Sequence, residues 1–133
     1  IVSVGRGTDT PFRVFGFPGN KNGDYKFTPE SRPGARKPLY EGKECRGVDL
    51  TFSVRSFLRD KHLELNFLQK FYKDGPDTAK FFNNFFTKLA GNKELEKQIK
   101  SGLSLAEIRK TWQKNLVKYK QLRKKYLLYT DFE

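Results

Sequence analysis

Gly47-Val48-Asp49-Leu50-Thr51-Phe52-Ser53 sets Val48, Leu50 and Phe52 in alternation with Asp49, Thr51 and Ser53. Successive side chains of a strand point to opposite faces, so this period of two predicts a strand over Gly47–Ser53 with one packed face and one wet face. Downstream, from about residue 56, the period changes. Apolar residues recur three and four apart with long charged side chains between them, which is the helical pattern. Before residue 50 fall eight of the 11 glycines and five of the 6 prolines. They cut the chain into short segments at turns such as Pro18-Gly19-Asn20 and Pro33-Gly34. Strands first and helices after predict an α+β fold. It consists of a small sheet from the Gly/Pro-rich N-terminal third, packed against about four helices and ending in a long amphipathic basic helix.

Three further strands are expected, over Val2–Gly5, Arg13–Phe17 and Tyr25–Pro29. The first helix is expected over Asp60–Lys73, stopped by Gly75-Pro76. Asp77 can cap a second helix, whose stripe of Phe81, Phe82, Phe85, Phe86 and Leu89 predicts deep burial, with Gly91 as its left-handed end. Asn92 opens a short helix through Ile99, closed by Gly102. Ser104 and Glu107 form a capping box at the start of the last helix. There Leu105, Ile108, Trp112, Leu116, Tyr119 and Leu122 share one arc, and lysines take the other side.

The 133 residues carry 27 Lys plus Arg against 15 Asp plus Glu, a formal charge of +12. That length suits a single α+β domain over residues 1–133. Twenty aromatic residues (13 Phe, 6 Tyr, 1 Trp) argue against a disordered tract. No apolar run approaches the roughly 20 residues of a membrane-spanning helix. The single His and single Cys cannot supply a zinc tetrad, so no metal and no cofactor are predicted. Cys45 has no intrachain partner, and a lone buried thiol is its expected state. His62, among Asp60, Lys61 and Glu64, reads as solvated. The chain starts at Ile1 and has no Met, which suggests a processed or excised part of a larger protein.

Residues 109–125 hold eight Lys or Arg and no acid. With Tyr119 and Tyr126 nearby, this keeps a stand-alone basic module for nucleic acid or anionic glycan as an alternative. Specific nucleic-acid binding is not the expectation. The positive excess is spread along the chain, and no zinc-finger, RNP-like or helix-turn-helix pattern appears.

The segment Val4-Gly5-Arg6-Gly7-Thr8-Asp9-Thr10-Pro11-Phe12 is the densest in chemistry. Two glycines around Arg6 permit unusual dihedrals and close backbone approach, while Arg6, Thr8, Asp9 and Thr10 crowd donors and acceptors together. It lacks the third Gly of a dinucleotide fingerprint and the Lys-Ser/Thr of a Walker loop. A binding loop and a glycine-rich connector both fit it.

Val4-Gly5-Arg6-Gly7-Thr8 with Pro11-Phe12, Phe27-Thr28-Pro29, Cys45-Arg46-Gly47-Val48, Lys88-Leu89-Ala90-Gly91, Ile108-Arg109 with Trp112, and Arg123 through Tyr129 occur in this order along the chain. Together they resemble the exo-β-N-acetylmuramidases of glycoside hydrolase family 171, the NamZ type, over essentially the whole sequence. The resemblance implies that this is the C-terminal part of a two-domain enzyme whose partner is its own Rossmann-like N-terminal domain. It implies release of terminal N-acetylmuramic acid from the non-reducing end of peptidoglycan fragments. It also implies a catalytic glutamate in that other domain, no independent activity here, and an extracytoplasmic, periplasmic or secreted setting that includes lipoprotein anchoring.

Muramic acid carries a lactyl carboxylate, which a guanidinium fork matches. Arg6 is therefore the candidate for the carboxylate, with Gly7 allowing close approach. Thr8, Asp9 and Thr10 are candidates for hydroxyl or acetamido groups, and Phe12, Phe17 and Tyr40 for an apolar platform under the sugar. Asp9 after Gly-x-Gly-Thr reads first as a turn residue, so no catalytic residue is assigned. Phe12, Phe15 and Phe17 are the expected contributors to an aromatic patch facing a neighbouring domain.

Overall fold

The computed structural model describes residues 1–51, 53 and 63–131, which fall in two compact units, Ile1–Phe86 and Thr87–Glu133. Phe52, the expected helix start at Asp60, and His62 lie outside the described residues. The fold is α+β, with a three-stranded antiparallel sheet and, among the described residues, four α-helices, the last of them long.

In the first unit, β1 (Val14–Phe17), β2 (Tyr25–Phe27) and β3 (Cys45–Asp49) form a sheet of order β1-β3-β2. The last strand in sequence is thus the central one. It pairs Gly47 with Gly16 on one side and with Tyr25 on the other. The strand starts two residues before and ends four residues before the stretch that the alternation predicts, and its early end has a local reason. The Asp49 carboxylate accepts a bond from the Thr51 backbone N–H at 2.8 Å and another from the Thr51 hydroxyl, and this Asx turn ends the pairing. Of the expected first strand, only a bridge remains, Ser3 to Gly16.

Three glycines allow the strands to come this close. A Cβ on Gly47 would lie 1.9 Å from the Phe15 carbonyl oxygen, one on Gly16 would lie 2.3 Å from that of Arg46, and one on Gly23 would lie 2.3 Å from the Gly47 nitrogen. Asn20 ties the same place together. Buried, it donates from Nδ2 to the Arg46 carbonyl at 3.1 Å and accepts from the Asn22 N–H at 3.0 Å.

Helix α1 (Asn66–Asp74) packs on β1 through rings. Phe15 meets Phe67 and Phe71 at centroid distances of 5.2 and 5.1 Å, and Phe17 meets Phe71 at 6.0 Å. Phe15 and Phe17 therefore serve the interior rather than an exposed patch. Val14, Phe27 and Cys45 form a second buried cluster, with Tyr25 and Tyr40 packed against it.

The predicted phenylalanine-rich helix is divided in two. Asp77 caps only a 3₁₀ turn (Thr78–Lys80), accepting from the Ala79 and Lys80 N–H groups. Asn83 then caps α2 (Asn84–Ala90) by accepting from the Phe85 and Phe86 N–H groups, each at 3.0 Å. This second cap resets the helical phase, so the five apolar residues no longer share one buried face. Phe81, Phe82 and Phe86 cluster with Tyr72, while Phe85 and Leu89 are exposed.

In the second unit, Asn92 accepts from the Glu94 and Leu95 N–H groups and starts α3 (Glu94–Lys100). The Ser104–Glu107 capping box forms as predicted at the start of α4 (Leu105–Arg123). The buried apolar side chains of this unit are Leu95, Ile99 and Ile108. The α4 stripe packs only at its N-terminal end. Ile108 is fully buried, but Leu116, Tyr119 and Leu122 are exposed. Among the described residues, no helix is long and apolar enough to cross a membrane.

Two predictions follow from this packing. Gly47→Ala should destabilise the protein by about 3 kcal/mol or more through forced strand separation. Gly19→Ala, at φ +76° with open space around it, should cost about 1 kcal/mol. Thermal melts of the two variants check the contrast. Burial pushes the Cys45 thiol up to about 11. A thiol in the unfolded chain ionises near pH 8.5, so the stability this group contributes is complete below that pH. It declines as pH rises from about 8.5 towards 11. Native protein should resist thiol reagents at pH 8 and label only on denaturation, and Cys45→Ala should flatten the alkaline decline measured by denaturant titration.

Candidate functional site

The loop from Gly5 to Phe12 is built by its own backbone. Gly5 and Gly7 take φ +74° and +85°, where a side chain would be strained. The Thr8 hydroxyl donates to the Gly5 carbonyl at 2.7 Å and accepts from the Thr10 N–H at 3.1 Å, and the Phe12 N–H closes the loop on the Val4 carbonyl at 2.7 Å. Thr8 and Thr10 hydroxyls lie 3.3 Å apart. The missing Cβ of Gly7 has a second use. It would meet the Glu30 carbonyl oxygen at 2.5 Å and Pro38 at 2.8 Å, so the loop lies flush against the 28–38 segment, where the Glu30 N–H donates to the Gly7 carbonyl at 2.9 Å.

That facing segment turns at Pro33-Gly34. Gly34 has φ +82°, and Arg32 and Ala35 exchange backbone hydrogen bonds across the turn, which is the geometry Pro followed by Gly favours. Arg32 stands on one side of the turn and Arg36-Lys37 follow on the other. Arg6 reaches across, its Nη2 donating to the Gly34 carbonyl at 3.0 Å.

Arg6 borders two clefts. One, of about 390 Å³, has Arg6, Arg36 and Lys37 as its charged groups and Val2, Val4 and Leu39 in its apolar wall; among the described residues no carboxylate lines it. The other, of about 250 Å³, is bounded by Arg6, Thr8, Phe12 and Arg32. Asp9 and Thr10 face elsewhere, towards a third cleft of about 240 Å³ with Lys26, Thr28 and Arg32. Arg32 pairs there with Asp9, and its guanidinium is held further above its usual pKa, first by the Asp9 hydrogen bond and then by the Asp9 charge.

The structure thus gathers Arg6, Gly7, Thr8 and Phe12 and sets Asp9 and Thr10 on the adjoining side. Phe12 is exposed and takes φ +64°, strain carried on an aromatic at the mouth of a cleft. Phe17 and Tyr40 do not join them. Phe17 is 2% exposed and packed on Phe71. Tyr40 packs on the Val14 cluster and donates its hydroxyl to the Ile1 carbonyl at 2.7 Å, holding the N-terminal segment in place. Burial raises the Tyr40 phenol above its usual pKa. Arg32, Arg36 and Lys37 are the cleft residues that the sequence does not single out. A basic cluster beginning immediately before and after Pro33-Gly34 was their available signal.

The model of the family described as exo-β-N-acetylmuramidase NamZ, C-terminal, matches residues 1–129. The peptidoglycan β-N-acetylmuramidase NamZ of Bacillus subtilis (strain 168) is 29% identical over 140 residues, an alignment covering 96% of this chain and 34% of that protein. The crystal structure of a DUF1343 family protein from Bacteroides fragilis NCTC 9343 superposes with a TM-score of 0.89 at 38% identity, covering 98% of this chain and 37% of that one. The chain thus spans about a third of the length of the relatives it matches. With the family model covering nearly every residue and the fold shared throughout, the chain belongs to the NamZ C-terminal family of exo-β-N-acetylmuramidases.

Proposed function

We propose that this chain is the substrate-contacting C-terminal domain of a peptidoglycan-degrading exo-β-N-acetylmuramidase and holds a terminal N-acetylmuramic acid at the non-reducing end of the glycan. The observation that carries this reading is the cleft where Arg6, Arg36 and Lys37 meet, with no carboxylate among the described residues that line it. A muramic acid residue differs from N-acetylglucosamine by a lactyl ether that ends in a carboxylate. Such an arm needs cations at its tip and apolar contact along its methyl-bearing stem. Val2, Val4 and Leu39 supply the second and the three basic side chains supply the first.

Within this reading Arg6 is the carboxylate's main partner, since the bond to Gly34 orients its guanidinium before ligand arrives. The Thr8, Asp9 and Thr10 side chains take hydroxyl or acetamido groups, and Phe12 gives the sugar an apolar surface. Gly7 lets the loop sit close enough to its facing segment for both clefts to exist. Phe17 and Tyr40 support these groups from within. The bond-breaking carboxyl group belongs to a Rossmann-like N-terminal domain, this domain's partner, and the isolated chain is inactive. The proposed setting is extracytoplasmic, where the substrate is found.

The test uses the chain joined to its upstream domain, acting on a chromogenic β-muramide. A charge-assisted hydrogen bond contributes about 1.5–3 kcal/mol, so Arg6→Ala should lower kcat/KM on the muramide by about 10- to 150-fold. Arg36→Ala should lower it less, and neither should change the rate on the matching β-N-acetylglucosaminide, which lacks the carboxylate. Wild-type rates for Arg6→Ala on the muramide would remove that residue from the site. Muramic acid release by the 133-residue chain alone would refute the division of labour.

A further inference from the structure

A groove in the second unit lies between α3 and α4, has a volume of about 690 Å³, and is unlike the cation-lined cleft. Trp112, Leu116 and Tyr119 run along it on α4, with Gln98, Thr111 and Asn115 beside them. Although residues 109–125 carry eight basic side chains, none of them lines this groove. Among the described residues the carboxylate at its rim is that of Glu94, which is paired with Lys97 at 2.9 Å. Its described lining therefore presents no unpaired charge, which disfavours a polyanion and favours a neutral ligand.

Its polar wall is fixed in place. The Gln98 amide donates from Nε2 to the Thr111 hydroxyl at 3.0 Å, and that hydroxyl donates to the Ile108 carbonyl at 2.7 Å. Asn115 is exposed, and its side-chain amide makes no hydrogen bond among the described residues. Trp112 and Tyr119 are seven residues apart, two helical turns and about 10 Å along one face. Leu116 fills the interval. Two rings so spaced, with amides at their side, match alternate pyranose rings of a β-linked chain, since one sugar advances such a chain by only about half that distance. Such rings offer a C–H face for stacking and a rim of hydroxyl and acetamido groups for hydrogen bonding.

We infer that this groove is a second glycan site, taking an uncharged stretch of a β-linked, N-acetylated glycan. It is separate in residues and in charge from the cleft of Arg6. That the glycan is a cell-wall strand rests on the function proposed above; the match of groove to neutral sugar does not. The site also explains why the apolar stripe of α4 stays exposed at Leu116 and Tyr119.

The experiment is a calorimetric titration of the full-length protein with chitotetraose, a neutral N-acetylated β-glycan lacking any lactyl carboxylate. Saturable binding is expected, weakened at least fivefold by Tyr119→Ala and by Asn115→Ala, and altered less than twofold by Arg6→Ala. Both groove positions are exposed, so the variants should keep the wild-type melting profile. No saturable binding up to about 10 mM, a weak-affinity limit, overturns the proposal, as it would if another domain covered the groove. Equal affinity in Tyr119→Ala and wild type also overturns it. The muramide assay on the same proteins separates the two readings. Failure of the cleft leaves Arg6→Ala fully active; failure of the groove leaves Arg6→Ala impaired and tetraose binding unchanged by Tyr119→Ala.

Discussion

The first unit depends on a steric constraint at the centre of its sheet. β3 enters between β1 and β2 only because Gly47, Gly16 and Gly23 present bare backbone to one another. Close-packed interiors absorb little added volume, so one methyl group there cannot be accommodated by side-chain adjustment alone. The consequences reach the clefts. Gly16 also bridges to Ser3, which fixes the segment from which the Arg6 loop departs. The Tyr40 hydroxyl anchors the start of that segment. Loop geometry is thereby inherited from the sheet.

The two candidate sites divide the chemistry between them. Around Arg6, cations gather on two loops held by backbone hydrogen bonds, so the attraction for an anion is set before any ligand enters. Along α4, a rigid helix carries the rings, and the basic side chains lie outside the groove. A charged arm and a neutral sugar chain would thus be recognised by different surfaces. Neither surface needs the other's chemistry, and each can be altered separately.

Much of this was legible in the sequence, and the failures have local causes. The period of two found the central strand, but could not register that Asp49 would turn its carboxylate on Thr51 and end the pairing. Capping residues were read well at Asn92 and Ser104 because each precedes a clear helical pattern. Asn83 was missed because it lies inside an apolar run whose spacing already suggested one helix. The arginine loop was visible from its glycines and from family resemblance together. Arg36 and Lys37 were not, since their approach to Arg6 depends on the turn at Gly34, 28 residues downstream. Residue type marks Phe17 and Tyr40 as ring platforms, but cannot register that Phe17 is buried against Phe71 or that Tyr40 is half-buried against the Val14 cluster.

The seclusion of Cys45 has a chemical corollary. Oxidants attack thiolates and thioethers first. This chain has no methionine, and its single sulfur is a protonated thiol with no accessible surface. Peroxide or hypochlorite reaching the molecule would meet no ready sulfur target. Hypochlorite would turn instead to exposed amines such as those of Lys80 and Lys97, and peroxide would find no fast target among these side chains.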